Sequence, residues 1–306
     1  MLQIYYKTMR GEDFELISEV REGCWIHVDE ATPEDLTYIS QLISVEYHDL
    51  QDCLDKYELP RIERIQGTVV IFTRHPTENE IGLYTSTLTI LLTPHYLITI
   101  SPQRNSMVRT FITQKSKLST LQKPKLLISL LWRISQEFTA HVRRVRHSVL
   151  RQEKEMSTVE AEDITALTQN EEILNQYYSA LVSLRYVLES ITSGRYTNFY
   201  EKDQDLLLDL LNGLKQSEDL CNISIKSIRS LRESYQIIFT NNVSKTIKLL
   251  TALTILFSIP TMVASFYGMN VTLPLAANPS AFLYLVGGTA VVVILSTLIF
   301  QRKRWL

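Results

Sequence analysis

Between residues 244 and 270 the chain repeats a small hydroxyl side chain every three or four positions: Ser244, Thr251, Thr254, Ser258, Thr261 and Ser265, with Ile247 in the same phase. At 3.6 residues per turn these positions share one face of a helix. Leu249, Leu253, Leu256, Ile259 and Val263 occupy the other faces, and the hydroxyl face ends in Gly268, Met269 and Asn270. Two uses suit such a face. The hydroxyls can bond back to the backbone or hold helices together in a membrane. They can also turn toward a water-filled axis, and a stripe that runs the full depth of the segment and ends in glycine and asparagine favours this second use. The path so lined carries no charge. Pro260 interrupts it, and its missing N–H frees a backbone carbonyl about one turn earlier, which a pore-lining or flexing helix tolerates.

Two apolar segments position these residues. Leu249–Phe266 spans 18 residues and Ala281–Phe300 spans 20, and residues 249–300 contain no charge. A hydrocarbon core needs about 20 apolar residues in a helix, so both are expected to cross a membrane, the first over about 247–267 and the second over about 281–300. Tyr267-Gly268-Met269-Asn270 forms the corner of the resulting hairpin. Lys245 and Lys248 precede the first span, Arg302, Lys303 and Arg304 follow the second, and residues 271–280 hold no Lys or Arg. The positive-inside bias then sets both termini in the cytoplasm and the 271–280 link outside, giving a two-span protein of the cell membrane. Met1-Leu2-Gln3-Ile4 runs into Tyr5, Tyr6 and Lys7 without a signal-peptide core, so export of the first 245 residues is not expected.

The rest of the chain divides by texture. Residues 1–120 are expected to form a cytoplasmic α+β domain with α/β/α layers, with strands at 3–7, 24–28, 68–73, 83–92 and 96–100. Thr32 followed by Pro33 has the form of a helix cap, and a short helix should run through Leu36, Ile39 and Leu42. Residues 121–245 read as long helices. Leu126, Leu127, Leu130, Leu131, Ile134 and Phe138 begin a helical stripe that lasts to about Glu155. A second helix fits 159–191. A third starts near Glu201, meets no proline before Pro260, and is expected to act as a stalk continuous with the first span of the 246–306 hairpin. So long a helix cannot bury its faces alone, which predicts packing against the preceding pair or against further copies of the chain.

With 31 basic and 33 acidic residues the balance is near neutral, which argues against a nucleic-acid partner. Cys24, Cys53 and Cys221 have no metal-like spacing and are expected as reduced thiols. The six histidines show no ligand spacing, and neither a nucleophile motif nor a phosphate loop is present, so an enzyme is not expected and no cofactor is implied. Arg143, Arg144, Arg146, His147 and Arg151 make a basic face, and Glu153, Glu155, Glu160, Glu162 and Asp163 an acidic tip. A solvated helix hairpin accounts for both, although the tip could gather cations.

Tyr267-Gly268-Met269-Asn270 at the outer end of the first of two C-terminal spans, after a long helix and before Arg302-Lys303-Arg304-Trp305-Leu306, resembles the CorA family of divalent-cation transporters. The resemblance covers the whole chain in architecture and is most specific from Ser244 onward. It implies a homopentameric funnel that carries Mg²⁺, often with Co²⁺ and Ni²⁺, through a pore lined by the first span. Gly268, Met269 and Asn270 would form the outer mouth, where Asn270 carbonyls accept hydrogen bonds from the waters of a hydrated ion. Below it would lie Ser265, Thr261, Ser258 and Thr254, then Leu250 and Ile247 as a hydrophobic constriction, with Ser244 at the cytoplasmic end.

The family often has asparagine and methionine at the places of Ser244 and Ile247, and commonly an acidic residue after the motif, which residues 271–278 lack. Family regulation by cytoplasmic Mg²⁺ carries over to Asp209 on the stalk, with Glu78 or Glu80 as candidate partners. Two other readings stay open: a zinc transporter of the related ZntB type, and a membrane-anchored helical sensor or scaffold that transports nothing. Partners expected are further copies of the chain, divalent cations and membrane lipid.

Overall fold

Thr32, Pro33 and Asp35 start the first helix as their order predicts. The Thr32 hydroxyl accepts the Asp35 backbone N–H, and the Asp35 carboxylate accepts that of Thr32, so two otherwise orphaned donors are satisfied reciprocally. The computed structural model describes residues 1–306 apart from 80–81, 115–117, 156–158, 197–198, 272 and 275–277. Glu80 and the side chains of Glu153 and Glu155 lie outside what it describes. The chain forms two compact units, Met1–Ser157 with Thr165–Leu231, and Thr158–Ile164 with Arg232–Leu306.

In the first unit seven strands form one sheet: β1 Leu2–Tyr6, β2 Glu15–Ile17, β3 Trp25–Asp29, β4 Arg61–Ile65, β5 Thr68–Asn79, β6 Gly82–Leu92 and β7 Leu97–Ser101. Their order is β2-β1-β3-β7-β6-β5-β4. Only β3 and β7 pair in parallel, with Ile26 opposite Ile98. Every residue of both strands is buried, as a strand covered on two faces requires. Alternation therefore sends Ile26 and Val28 into one layer and Trp25 and His27 into the other.

The first layer is closed by α1 (Pro33–Ile43), α2 (Tyr47–Leu50) and the 3-10 turn Gln51–Leu54, through Leu36, Ile39, Leu50 and Cys53. The second holds α3 (Ser106–Thr113), whose Phe111 meets Trp25 edge to face, and α4 (Lys123–Glu155), which packs on β5 and β6. The expected α/β/α layering is what forms. Strands β2 and β4 and helix α3 were not anticipated, being short elements without a clear period.

Helix α4 buries Leu126, Leu127, Leu130, Leu131, Ile134 and Phe138, the predicted stripe. Helix α5 (Ala161–Thr192) buries Leu167, Leu174, Leu181, Leu184, Leu188 and Ile191, close to a 3.5-residue repeat. Helix α6 (Glu201–Tyr267) answers with Leu207, Leu210, Leu214, Cys221 and Ile228. Arg185 to Glu218 and Arg229 to Glu171, each 2.9 Å, tie α5 to α6 across this seam.

The second unit contains the remainder of α6 and helix α7 (Ala281–Arg302). Both are long and apolar enough to cross a membrane by length and composition, and neither is covered by the rest of the chain. No residue of α7 is buried. Water would make that exposure costly, at about 25 cal/mol per Å² of apolar surface, whereas lipid or a neighbouring copy removes the cost.

Candidate functional site

Ala252, Leu256, Ile259, Val263 and Tyr267 are the covered positions of the apolar part of α6, and Ala252 is wholly buried. Leu285, Thr289, Val293, Ser296 and Thr297 are the corresponding half-covered positions of α7. Both sets recur every three or four residues, the signature of two helices packed along their length. At about 100° per residue, the centre of the α6 set lies roughly 150° around the helix from the hydroxyl stripe. Hairpin packing thus consumes one face of α6 and leaves the hydroxyl face open. Ser244, Thr251, Thr254, Ser258, Thr261 and Ser265 are all exposed, as are Ile247 and Leu250.

Four hydroxyls along this face share one arrangement. Thr251 donates to the carbonyl of Ile247 at 2.8 Å, Thr254 to Leu250 at 2.9 Å, Ser258 to Thr254 at 2.7 Å and Thr261 to Phe257 at 2.9 Å. Each hydroxyl has one hydrogen and two lone pairs. With the hydrogen committed to the backbone, the face presents acceptors. Acceptors are what the outward-pointing hydrogens of a cation's hydration shell need. The back-bonding foreseen as an alternative use of these residues and the presentation of oxygens to an axis are therefore compatible.

Helix α6 ends at Tyr267, immediately before the motif. The Gly268 N–H bonds back to the carbonyls of Ala264 (2.9 Å) and Ser265 (3.2 Å), and that of Met269 to Phe266 at 3.3 Å. Asn270 is exposed beyond this last turn. Gly268 does not need glycine for its own backbone: its φ is not in the left-handed range, and an added Cβ would come no closer than 3.4 Å to Ala264 O. The Tyr267 hydroxyl donates to the carbonyl of Pro274 at 3.1 Å, which fastens the link to the end of the helix. This clasp was not foreseen. A tyrosine and a proline flanking the motif seven residues apart are its only trace in the sequence. Beside Gly268 lies an apolar cleft of about 630 Å³, lined by Pro260, Val263, Leu285 and Val293 among others.

The candidate regulatory carboxylates lie in the first unit. Asp209 is exposed on α6, as are Leu206 and Leu208, while Leu207 and Leu210 point into the core. Glu78, at the end of β5, is also exposed, and its carboxylate accepts from Arg144 at 2.9 Å. Asp209 and Glu78 do not bond to each other, and among the described residues no group of three or more His, Cys, Asp and Glu side chains could hold a metal.

The model of the family described as CorA-like Mg²⁺ transporter protein matches residues 21–303. A cobalt/magnesium transport protein CorA from Methanocaldococcus jannaschii is 26% identical over 312 residues, covering 96% of this chain and 93% of that protein. The complete structure of the CorA magnesium transporter from the same organism superposes with a TM-score of 0.78 at 20% identity, covering 100% of this chain and 99% of that one. The ZntB cytoplasmic domain from Vibrio parahaemolyticus matches with a TM-score of 0.62 at 10% identity, covering 79% of this chain and 98% of that one, which shows a shared fold. A family match over nearly the whole chain, a full-length likeness to a CorA structure and a two-helix C-terminal hairpin agree: the chain belongs to the CorA-like Mg²⁺ transporter family.

Proposed function

We propose that this chain assembles into a membrane channel that admits hydrated divalent cations, with Mg²⁺ as the main substrate and Co²⁺ and Ni²⁺ also accepted. The observation that carries this reading is the continuous acceptor face of Thr251, Thr254, Ser258 and Thr261 on the side of α6 turned away from the hairpin packing. Mg²⁺ gives up its waters reluctantly. A neutral path rich in oxygen acceptors can pass the hydrated ion without stripping it, holding it weakly enough at each position for it to move on.

In this reading several copies, five by resemblance, bring their α6 faces around one axis. Gly268, Met269 and Asn270 form the outer mouth, Ser265, Thr261, Ser258 and Thr254 line the path, and Leu250 and Ile247 close it by excluding water, with Ser244 at the inner end. The membrane potential and ion gradient drive entry. Both termini lie in the cytoplasm and the 271–280 link outside. Asp209 of one copy meets Glu78, or Glu80, of a neighbour around a regulatory Mg²⁺.

Purified protein in liposomes tests this directly. Mg²⁺ influx is expected without a pH gradient, and Asn270→Ala is expected to abolish it while the oligomer persists on gel filtration. Normal flux through Asn270→Ala would sink the mouth assignment. Flux of Zn²⁺ alone, dependent on a pH gradient, would favour the ZntB-type reading that the shared fold keeps open. Absence of flux for every divalent ion would favour a sensor or scaffold.

A further inference from the structure

A second cavity, in the first unit, has a different chemistry. It has a volume of about 750 Å³ and lies between Lys56 and Tyr57 on one lip and Asn175, Gln176 and Ser179 of α5 on the other, with Arg74 of β5 in its wall. That is the size range in which proteins hold small organic ligands. Arg74 is 9% exposed. Its Nε donates to the Thr85 hydroxyl (2.9 Å), Nη1 to the carbonyls of Lys56 (3.2 Å) and Glu58 (3.0 Å) and the Thr87 hydroxyl (3.4 Å), and Nη2 to the carbonyl of Thr85 (2.8 Å).

Every one of these acceptors is neutral. The nearby acids are engaged elsewhere: Glu58 pairs with Arg61 and accepts from the Leu59 N–H, and Asp55 accepts from the Tyr57 N–H. Burial lowers the guanidinium's pKa, with Asp55, Tyr57 and Glu58 opposing from a distance. A buried cation without a contacting anion is costly, and proteins seldom keep one unless something completes it. Nη2 carries two hydrogens, and among the described residues only one has an acceptor. The cleft wall thus holds a cation that no anion contacts, with one Nη2 hydrogen not taken up by a described acceptor.

We propose that this cleft binds a small organic oxyanion, a carboxylate or phosphate ester. One ligand oxygen accepts from Arg74 Nη2, Lys56 shares its charge at the lip, and the amides of Asn175 and Gln176 with the Ser179 hydroxyl bond its polar body. Glu172 stands on the α5 rim, so the ligand's anionic groups face Arg74 and Lys56. Nothing in this assignment depends on the ion path. It adds an anion site to the unit in which Asp209 and Glu78 lie.

The full-length protein in detergent is titrated separately with inorganic phosphate, AMP and citrate, with thermal unfolding and calorimetry as readouts and added KCl as the ionic-strength control. At least one probe is expected to raise the unfolding temperature beyond KCl. Response to AMP and phosphate identifies a phosphate site, and response to citrate alone a carboxylate site. Lys56→Ala is expected to weaken that binding about tenfold, the effect of one lost charge-assisted contact. Ser179→Trp, which fills an exposed edge of the cleft without touching Arg74, is expected to abolish it with the ligand-free unfolding temperature unchanged. The proposal is overturned if no probe exceeds KCl, or if binding persists unaltered in Ser179→Trp.

Discussion

The amide nitrogen of Asn105 lies 2.9 Å from Nε2 of His75, at the centre of the layer between the sheet and α3. Asn105 caps α3: its side-chain oxygen accepts the Val108 N–H at 2.9 Å, so its amide must present NH₂ to the histidine. Nδ1 of His75 faces the carbonyl of Pro76 at 3.1 Å and must carry the hydrogen. The ring is thereby held as one neutral tautomer, because a proton on Nε2 would meet another donor. Burial, the larger influence, pushes its pKa down to about 4. Burial also lowers the pKa of His27, against the opposing charge of Asp29.

These two histidines predict acid lability. An ordinary histidine titrates near 6.5, so the unfolded chain takes up protons that the folded chain refuses. Stability is full above about pH 6.5 and falls as pH drops from there through about 4, where His75 alone accounts for about 3 kcal/mol. The unfolding temperature measured between pH 8 and pH 4 should show this loss. His75→Gln should make the acid limb shallower, and an unchanged limb would remove His75 from the explanation.

Ala252 is wholly buried within the second unit. Ala252→Leu forces three extra carbons into a filled contact and is expected to cost about 1–3 kcal/mol. Ala264→Leu faces the apolar cleft beside Gly268, has room for the added side chain, and is expected to leave the unfolding temperature nearly unchanged. Equal losses in the two variants would contradict the assigned packing face.

Gly268→Ala should fold and assemble, because the new Cβ meets only Ala264 O at 3.4 Å and Ser265 O at 3.6 Å. If Gly268 serves the mouth by letting copies or the hydrated ion approach its backbone, uptake should nevertheless be abolished. Gel filtration together with liposome flux separates the two effects. Retained flux would show that the close approach is not needed.

The Arg144–Glu78 pair bears on regulation. Both side chains are more than half exposed, and an exposed pair is worth at most about 1 kcal/mol. If Glu78 ligates a regulatory Mg²⁺, Arg144 competes with the ion. Arg144→Ala should then lower the cytoplasmic Mg²⁺ concentration that halves flux, by up to about fivefold. Asp209→Asn should raise it. A threshold indifferent to both substitutions would remove this pair from gating.

Periodicity is a local property, and what rested on it was legible. The two apolar segments became α6 and α7, the hydroxyl phase of 251, 254, 258 and 261 survived as one open face, and Thr32 with Pro33 opened a helix where their order required it. Short elements were lost for the same reason. Strand β2 has only three residues, β4 (Arg61-Ile62-Glu63-Arg64-Ile65) does not alternate apolar with polar, and the Asn105 cap that opens α3 was a signal passed over.

Sequence by itself determined the membrane hairpin, its motif and the face that carries oxygen, because each follows from residue type and spacing along one helix. Tertiary structure alone decided which face of α6 packs on α7, that Arg144 reaches Glu78 across 66 positions, and that Arg74 is a buried cation among neutral acceptors. These depend on which distant segments share a layer. A charged residue in a strand reads the same whether its neighbours leave it in water or close over it.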